Sequence, residues 1–131
     1  MLEIELIGSE RIPADGPSGV EVEELCALAL ASAGIAEGHL AVEFVDAERI
    51  RTLNREHRMI DAATDVLSFG IDEDGVAAGP RELGDIVICP DQTADLRQAI
   101  VHGALHLTGM DHERDDGEML ALQAELMRWV R

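Results

Sequence analysis

Four segments of the chain have the residue pattern of a β-strand. They are residues 2–7, 39–45, 65–69 and 84–89. The first two alternate apolar and polar side chains, which is typical of a strand with one buried face, and the other two contain short apolar runs that favour buried strands. Pro90 is expected to end the last strand, because proline cannot donate to a sheet's hydrogen-bond ladder.

Four other segments place apolar residues at helical spacing. They are residues 20–33, residues 47 to 57 or 58, a stretch that runs to about residue 108, and residues 116–130. Asp91 or Thr93 is expected to cap the third helix, and Gly34 and Gly109 are expected to end the first and third. The fourth helix is expected to bury one face, formed by Met119, Leu122, Leu126 and Trp129.

The mixture of strand and helix segments predicts an α/β fold of the α+β-like kind, with a small central sheet of about four strands flanked by helices. The 131 residues are enough for one hydrophobic core, and neither a linker nor an internal repeat divides them. We therefore expect a single domain, residues 1–131. Residues 71–82 are rich in Gly, Asp and Ala and are predicted to form a mobile loop or hairpin connection.

Net charge restricts the ways in which this chain can bind nucleic acid. The formal charge is −17, and all ten basic residues are arginines. A chain this acidic repels nucleic acid unless a local site overcomes the overall field. The arginines cluster in one place, at Arg49, Arg51, Arg55 and Arg58. If RNA binds at this patch, few phosphates are neutralised and the salt dependence of binding should be shallow.

Targeting signals and cysteine usage indicate the compartment. The N-terminus has no basic stretch or apolar signal core, and no apolar run is long enough to span a membrane. The two cysteines, Cys26 and Cys89, lie far apart in apolar segments without CxxC spacing. We expect a cytoplasmic protein with two buried free thiols and no membrane partner.

Three of the five histidines lie close together, at His102, His106 and His112. Two histidines four residues apart on a helix project from the same face, so both imidazoles can reach one ion. Gly109 permits the chain to leave the helix in a left-handed conformation and to bring His112 back towards the other two. Three imidazoles with one vacant position are typical of a catalytic zinc site. The sequence therefore predicts one zinc ion bound by these histidines.

The spacing is close to the metalloprotease pattern HExxHxxGxxH, with one difference. The protease motif places a glutamate after the first histidine as the general base, and this chain has Gly103 there. Peptide hydrolysis by that mechanism would lack its proton acceptor, so the residue disfavours a peptidase.

The segment from His102 to His112 resembles the signature of the YbeY family of endoribonucleases, the rRNA maturation factors. It matches the family's H-G-x-L-H-L-x-G-[aromatic]-D-H pattern except that Met110 stands at the aromatic position. Two further blocks agree in order and approximate distance. They are Leu53-Asn54-Arg55-Glu56-His57-Arg58 with Asp61 and Thr64-Asp65-Val66-Leu67-Ser68-Phe69, and Gly84-Asp85-Ile86-Val87-Ile88. The resemblance covers about residues 40–128.

The resemblance implies an α/β fold with a four-stranded sheet, and a zinc-dependent endoribonuclease that acts on single-stranded RNA. It also implies roles in 16S rRNA 3′-end maturation and ribosome quality control, with the small ribosomal subunit as a candidate partner. By position, the three histidines would be the zinc ligands and Arg58 the active-site arginine. A guanidinium can hold a phosphate through two parallel hydrogen bonds and neutralise charge in the transition state.

Three aspartates are further candidates near the site. Asp111 follows Met110 and precedes a predicted ligand, so it could accept the free N–H of a zinc histidine or cap a turn. Asp65 and Asp85 lie at or beside strand ends, where they could orient Arg58, line the cleft or make local turn contacts.

The chain departs from the family pattern at several positions, which keeps two alternatives open. His57 stands where the family usually has tyrosine, Ala63 replaces a proline, and only residues 90–101 separate the last strand from the histidine helix, where the family has a longer segment. The lost aromatic positions weaken the case for base stacking. One alternative is a metallohydrolase of another substrate, including a peptidase. The other is a ribosome-associated factor in which zinc is structural.

Overall fold

A computed structural model describes residues 2–70 and 82–130 of the chain. The helices and strands of these ranges are, in order, β1 (Leu2–Ile7), α1 (Gly19–Ala31), β2 (Gly38–Phe44), α2 (Ala47–Arg58), β3 (Val66–Gly70), β4 (Glu82–Ile88), α3 (Leu96–Leu107) and α4 (Glu118–Met127). Short 3-10 turns occur at Ser9–Arg11 and Pro90–Gln92. The predicted α/β class is confirmed. The loop predicted for residues 71–82 lies outside the described residues, apart from Glu82, which begins β4.

The four strands form one mixed sheet in the order β1-β2-β4-β3. β1 pairs with β2 and β2 with β4 in parallel, while β3 pairs with β4 in antiparallel fashion. The parallel pair β1 and β2 is joined through α1, as a crossover connection requires. The antiparallel strand β3 forms one edge of the sheet, and this edge carries the site described below.

The helices cover the two faces of the sheet unequally. The larger core packs α1, α3 and α4 on one face and includes Leu40, Val42 and Ile86. A smaller cluster lies on the opposite face, where Ile50 and Leu53 of α2 pack against side chains of β3 and β4. Alternate residues of a strand point to opposite faces, which explains why neighbouring residues of β4 belong to different clusters. α2 and α3 therefore pack against opposite faces of the sheet.

Side chains of the residues before α1, α2 and α3 cap these helices. Ser18, Asp46 and Asp95 each accept a hydrogen bond from a backbone N–H three residues later, at 3.1, 2.8 and 3.1 Å. The expectation that Asp91 or Thr93 caps α3 was wrong. Asp91 lies in the 3-10 turn that Pro90 begins, and the Thr93 hydroxyl donates back to the Cys89 carbonyl.

The buried face of α4 agrees with the predicted one at Met119 and Leu126, and Leu122 is partly buried against the same core, but Trp129 departs from it. Met119, Gln123 and Leu126 are buried, whereas the Trp129 side chain is 75% exposed. Trp129 follows the end of the helix at Met127, so helical spacing no longer determines where its side chain points. The prediction that it shares the core face was therefore wrong, and a polar residue, Gln123, occupies that face instead.

Both cysteines are free and buried, as predicted. Burial raises the pKa of the Cys26 thiol to about 12, so this thiol stays protonated at neutral pH. Within residues 2–70 and 82–130, no helix is long and apolar enough to cross a membrane.

Candidate metal centre and cleft

A cleft of about 690 Å³ opens beside the edge strand β3. The end of α2, strand β3, helix α3 and the segment between α3 and α4 line it. Its lining includes His102, His106 and His112, and also Arg58, Asp65 and Asp111. The structure thus brings together residues from three separate parts of the sequence.

The three histidines converge in this cleft. Their ligand nitrogens all lie within 4.8 Å of one another, and the ring centroids are 4.8, 5.1 and 5.3 Å apart. All three side chains are half-buried. Nitrogens at such separations can be bonded to one ion after small side-chain rotations, since zinc–nitrogen bonds of about 2.0–2.1 Å place tetrahedral ligands about 3.4 Å apart.

The turn after α3 positions the third histidine. Gly109 has a φ of +100°, a left-handed conformation that side chains disfavour. Its N–H bonds to the carbonyl of His106 at 3.0 Å, which ends the helix. The chain then reverses, and His112 returns to the first two histidines. The predicted role of Gly109 is confirmed.

Hydrogen bonds fix which nitrogen each helical histidine offers. His106 Nδ1 is 3.0 Å from the Met110 carbonyl, and His102 Nδ1 is 2.7 Å from Oε1 of Gln123. Both oxygens accept hydrogen bonds, so each Nδ1 carries the proton and each Nε2 has a free lone pair. Metal-binding histidines are oriented in this way by a partner on the other ring nitrogen. The donor set therefore fits a metal ion.

The protonation state of His106 also favours metal binding. Burial lowers its pKa, and the neighbouring His102 lowers it further. A metal binds the neutral imidazole, so a lowered pKa keeps more of this side chain in the binding form near neutral pH.

Gly103 lies where α3 makes its closest approach to the sheet. A Cβ at this position would be 2.6 Å from Ile86 Cγ2 and 3.2 Å from both Ser68 Oγ and Val66 Cγ2. The Ser68 hydroxyl also donates to the Gly103 carbonyl at 2.9 Å. These side chains leave too little room for a Cβ unless α3 moves away from the sheet, so the glutamate of the protease motif would disturb this packing.

Arg58 is the last residue of α2, and its side chain reaches the cleft. Met59 ends the helix in the left-handed region with a φ of 60°. The buried Asn54 donates to the Ala62 carbonyl at 2.9 Å and so holds the segment after the helix against α2. Arg58 Nη2 is 3.8 Å from Oε1 of Glu113, an ion pair between two exposed side chains.

The other arginines of the predicted cluster do not reach the cleft. Arg51 pairs with Asp61 through hydrogen bonds of 2.8 and 3.2 Å on the exposed surface. The cleft is not lined by Arg51, Arg49 or Arg55. Among the described residues, Arg58 is the arginine that lines the cleft.

The three candidate aspartates take different places. Asp111 lines the cleft and caps its turn, since Oδ1 accepts the Glu113 N–H at 3.0 Å. Asp65 also lines the cleft, and its carboxylate accepts the N–H of Val66 at 2.8 Å. Asp85 is exposed on the sheet face that α2 partly covers and is not among the lining residues. Among the described residues, Arg58 forms its ion pair with Glu113 and not with Asp65 or Asp85.

Two hydrogen-bond partners of the histidines were not identified from the sequence. The Met110 carbonyl is a backbone group, which residue identity does not reveal. Gln123 could have been found, because it lies four residues after Met119 and three before Leu126, at a core-facing position where an uncharged polar side chain needs a partner.

Comparison with known proteins gives consistent matches over most of the chain. The family model described as Endoribonuclease YbeY matches residues 19–131. A protein named Endoribonuclease YbeY from Rubrobacter xylanophilus is 43% identical over 116 residues, covering 82% of each chain. The protein of the same name from Geobacillus thermodenitrificans is 40% identical over 128 residues, covering 81% of this chain and 82% of the relative.

A solved structure also resembles this fold. The solution structure of a Thermotoga maritima protein aligns with a TM-score of 0.53 at 27% sequence identity. The alignment covers 98% of this chain and 87% of the other. The overall fold is therefore shared with an experimentally determined structure.

Proposed function

Since the chain belongs to the YbeY endoribonuclease family, we propose that it is a zinc-dependent endoribonuclease that cleaves single-stranded RNA. The observation that carries this proposal is the convergence of three histidines and Arg58 in one cleft. The histidines supply ligands for a metal, and the arginine supplies a group that binds phosphate. Together they match the two requirements of phosphodiester hydrolysis.

In this proposal His102, His106 and His112 hold one zinc ion. Zinc bound by three imidazoles supplies a Lewis acid and a source of nucleophile near neutral pH. Gln123 and the Met110 carbonyl hold two of the rings so that Nε2 faces the ion. Because these partners come from α4 and from the turn after α3, the ligand geometry is fixed before substrate binds.

Arg58 binds the scissile phosphate and offsets the charge that develops on it. Its ion pair with Glu113 is long, at 3.8 Å, and both partners are exposed. Such pairs contribute little, so a substrate phosphate displaces Glu113 at small cost. A guanidinium then makes two parallel hydrogen bonds to phosphate oxygens.

The site disfavours the peptidase alternative. Metalloproteases of the corresponding motif need a glutamate directly after the first histidine, and in this chain a side chain at Gly103 would collide with Ile86. Hydrolysis here depends on the metal and on Arg58, without a protein base at that position.

We further propose that residues 1–131 act as one hydrolase domain in 16S rRNA 3′-end maturation and ribosome quality control. The family relationship supports this role. In it the protein associates with the small ribosomal subunit and is cytoplasmic, where ribosomes are assembled. Co-sedimentation of the protein with isolated subunits tests the association directly.

A panel of single-stranded RNA, mononucleotides and peptides tests the activity. The zinc-loaded protein should cleave RNA alone, and His106→Ala and Arg58→Ala should each abolish or strongly reduce cleavage. Arg128→Ala is a matched control, since Arg128 is an exposed helix-end arginine outside the cleft. Peptide turnover without RNA turnover would contradict the proposal. Ribosome binding that survives Arg58→Glu, with no RNA cleavage by wild type, would favour a structural zinc.

A further inference from the structure

Two aromatic rings lie together in the wall of the cleft. The ring centroids of His57 and Phe69 are 4.8 Å apart, and their planes are inclined at 56°. Both residues line the same cleft as the three converging histidines. His57 directly precedes Arg58 in the last turn of α2, and Phe69 follows Ser68, which bonds to the metal-site helix. The pair therefore joins the end of α2, which carries Arg58, to the edge strand β3.

The rings are accessible, unlike a pair that only fills the core. His57 is exposed, and Phe69 is half-buried, with part of its side chain packed against the cluster beneath α2. Because the two planes are tilted, a flat ligand can stack on one ring while its edge contacts the other. This arrangement suits a nucleobase better than an aliphatic side chain.

Charge in the cleft gives a reason to expect such a contact. Three carboxylates, from Asp65, Asp111 and Glu113, line the cleft with Arg58. A divalent ion and one guanidinium would approximately balance them, and the whole chain carries a charge of −17. Attraction to the phosphate backbone therefore contributes little to binding, and contacts that do not depend on charge must contribute more. Stacking on aromatic side chains is such a contact and accepts every base.

We propose that His57 and Phe69 form a subsite that binds one nucleobase of the RNA substrate, beside the phosphate held by Arg58. This inference rests on the proposed function, because it specifies how that substrate is held. His57 and Phe69 together provide a stacking surface, although Met110 replaces the aromatic residue of the family pattern. Loss of either ring should weaken binding of that one base.

The test combines protein variants with base deletion in the substrate. The zinc-loaded protein is given a single-stranded oligoribonucleotide and a series in which each position in turn is abasic, and kcat/KM is measured for each. In the wild-type protein, removal of the base at one position of the substrate should lower kcat/KM by about 5- to 100-fold, the range expected for one stacked base. In His57→Ala the intact substrate should be slowed by a similar factor, and the abasic change should then have no further effect.

Conservative variants separate stacking from a merely structural role. His57→Tyr should restore the dependence on the base, and Phe69→Leu, which keeps apolar volume under α2, should reduce it. His39→Ala is the control, because His39 is a partly exposed histidine outside the cleft lining. The kcat/KM values of this variant across the abasic series should match those of the wild-type protein. A structural effect would slow all substrates equally and leave the abasic dependence intact.

The outcomes distinguish the subsite from the activity itself. If wild type cleaves no RNA, the proposed function fails. If RNA is cleaved and no abasic position matters, or if His57→Ala retains the full dependence on the base, the function stands and the subsite is contradicted.

Discussion

Replacing Gly103 with alanine adds one methyl group at the point where α3 touches the sheet. The new Cβ would be 2.6 Å from Ile86 Cγ2, whereas carbon atoms pack best at about 3.5–4.0 Å. Ile86 is fully buried, so the helix must move away by roughly 1 Å. Overpacking of this kind costs about 1–3 kcal/mol, and the better helix propensity of alanine offsets about 0.5–1 kcal/mol of it.

At the middle of these ranges, we therefore expect Gly103→Ala to destabilise the fold by about 1 kcal/mol net. For a chain of this size, that lowers Tm by roughly 3–6 °C, as measured by calorimetry on the metal-free protein. The control is Gly70→Ala, since a Cβ at Gly70 meets nothing within 4 Å and the residue has no positive φ. This variant should melt close to wild type.

The same displacement should weaken the metal site, because Gly103 directly follows His102 in α3. Zinc affinity, measured by competition with a chelator, should fall in Gly103→Ala and stay unchanged in Gly70→Ala. If Gly103→Ala were as stable as wild type, or more stable, the close contact with Ile86 would not be limiting. A larger side chain such as glutamate would then not be excluded at this position by packing.

Three further predictions concern other groups. Gln123→Leu should lower zinc affinity by about 10–100-fold in chelator competition, because His102 loses the acceptor that orients it; wild-type affinity would refute this role. RNA binding should depend weakly on salt, with a log–log slope of about −0.7 for the single phosphate that Arg58 contacts on a single strand; a slope several times steeper would reveal a basic surface elsewhere. Hydrogen bonding to Glu82, with a smaller contribution from Glu5, raises the pKa of His39. Protonated His39 therefore stabilises the fold fully at pH values below the pKa that it has in the unfolded chain. This stabilisation is lost as the pH rises through the higher pKa of His39 in the folded protein. Urea titrations across that range should show this loss in wild type and not in His39→Gln.

The convergence of the three histidines could be predicted because it depends on residues that are close together in the sequence. His102 and His106 are one helical turn apart, and Gly109 lies where the chain must turn for His112 to return. Each of these relations depends on residues close together in the sequence. The same locality explains why the strand and helix segments were placed correctly to within a few residues at most of their ends.

Features that depend on tertiary contacts could not be predicted in the same way. The insertion of β4 between β2 and β3 follows from packing of both sheet faces, which hydrophobic patterns do not specify. The pairing of Arg58 with Glu113 joins two residues far apart in sequence. The cap of α3 is another example, because Asp91 or Thr93 was expected to cap the helix, and the 3-10 turn at Pro90–Gln92 leaves this role to Asp95.

Gly103 shows how the structure changed one interpretation. From the sequence, its significance was the absence of a catalytic glutamate. In the structure the residue is also a packing requirement, since α3 and the sheet approach too closely for a side chain. The close approach supports the geometry of the histidine cluster, so the glycine has a structural role in the site.

The catalytic role proposed for the three histidines is tested by zinc titration of the chelated protein, followed by measurement of RNA cleavage. Cleavage should be absent after chelation, rise linearly with added zinc and reach its plateau at one ion per chain. His106→Ala should show neither stoichiometric binding nor cleavage. Cleavage that persists without metal, or that is undiminished in His106→Ala, would contradict the proposal that the three histidines form a catalytic metal centre.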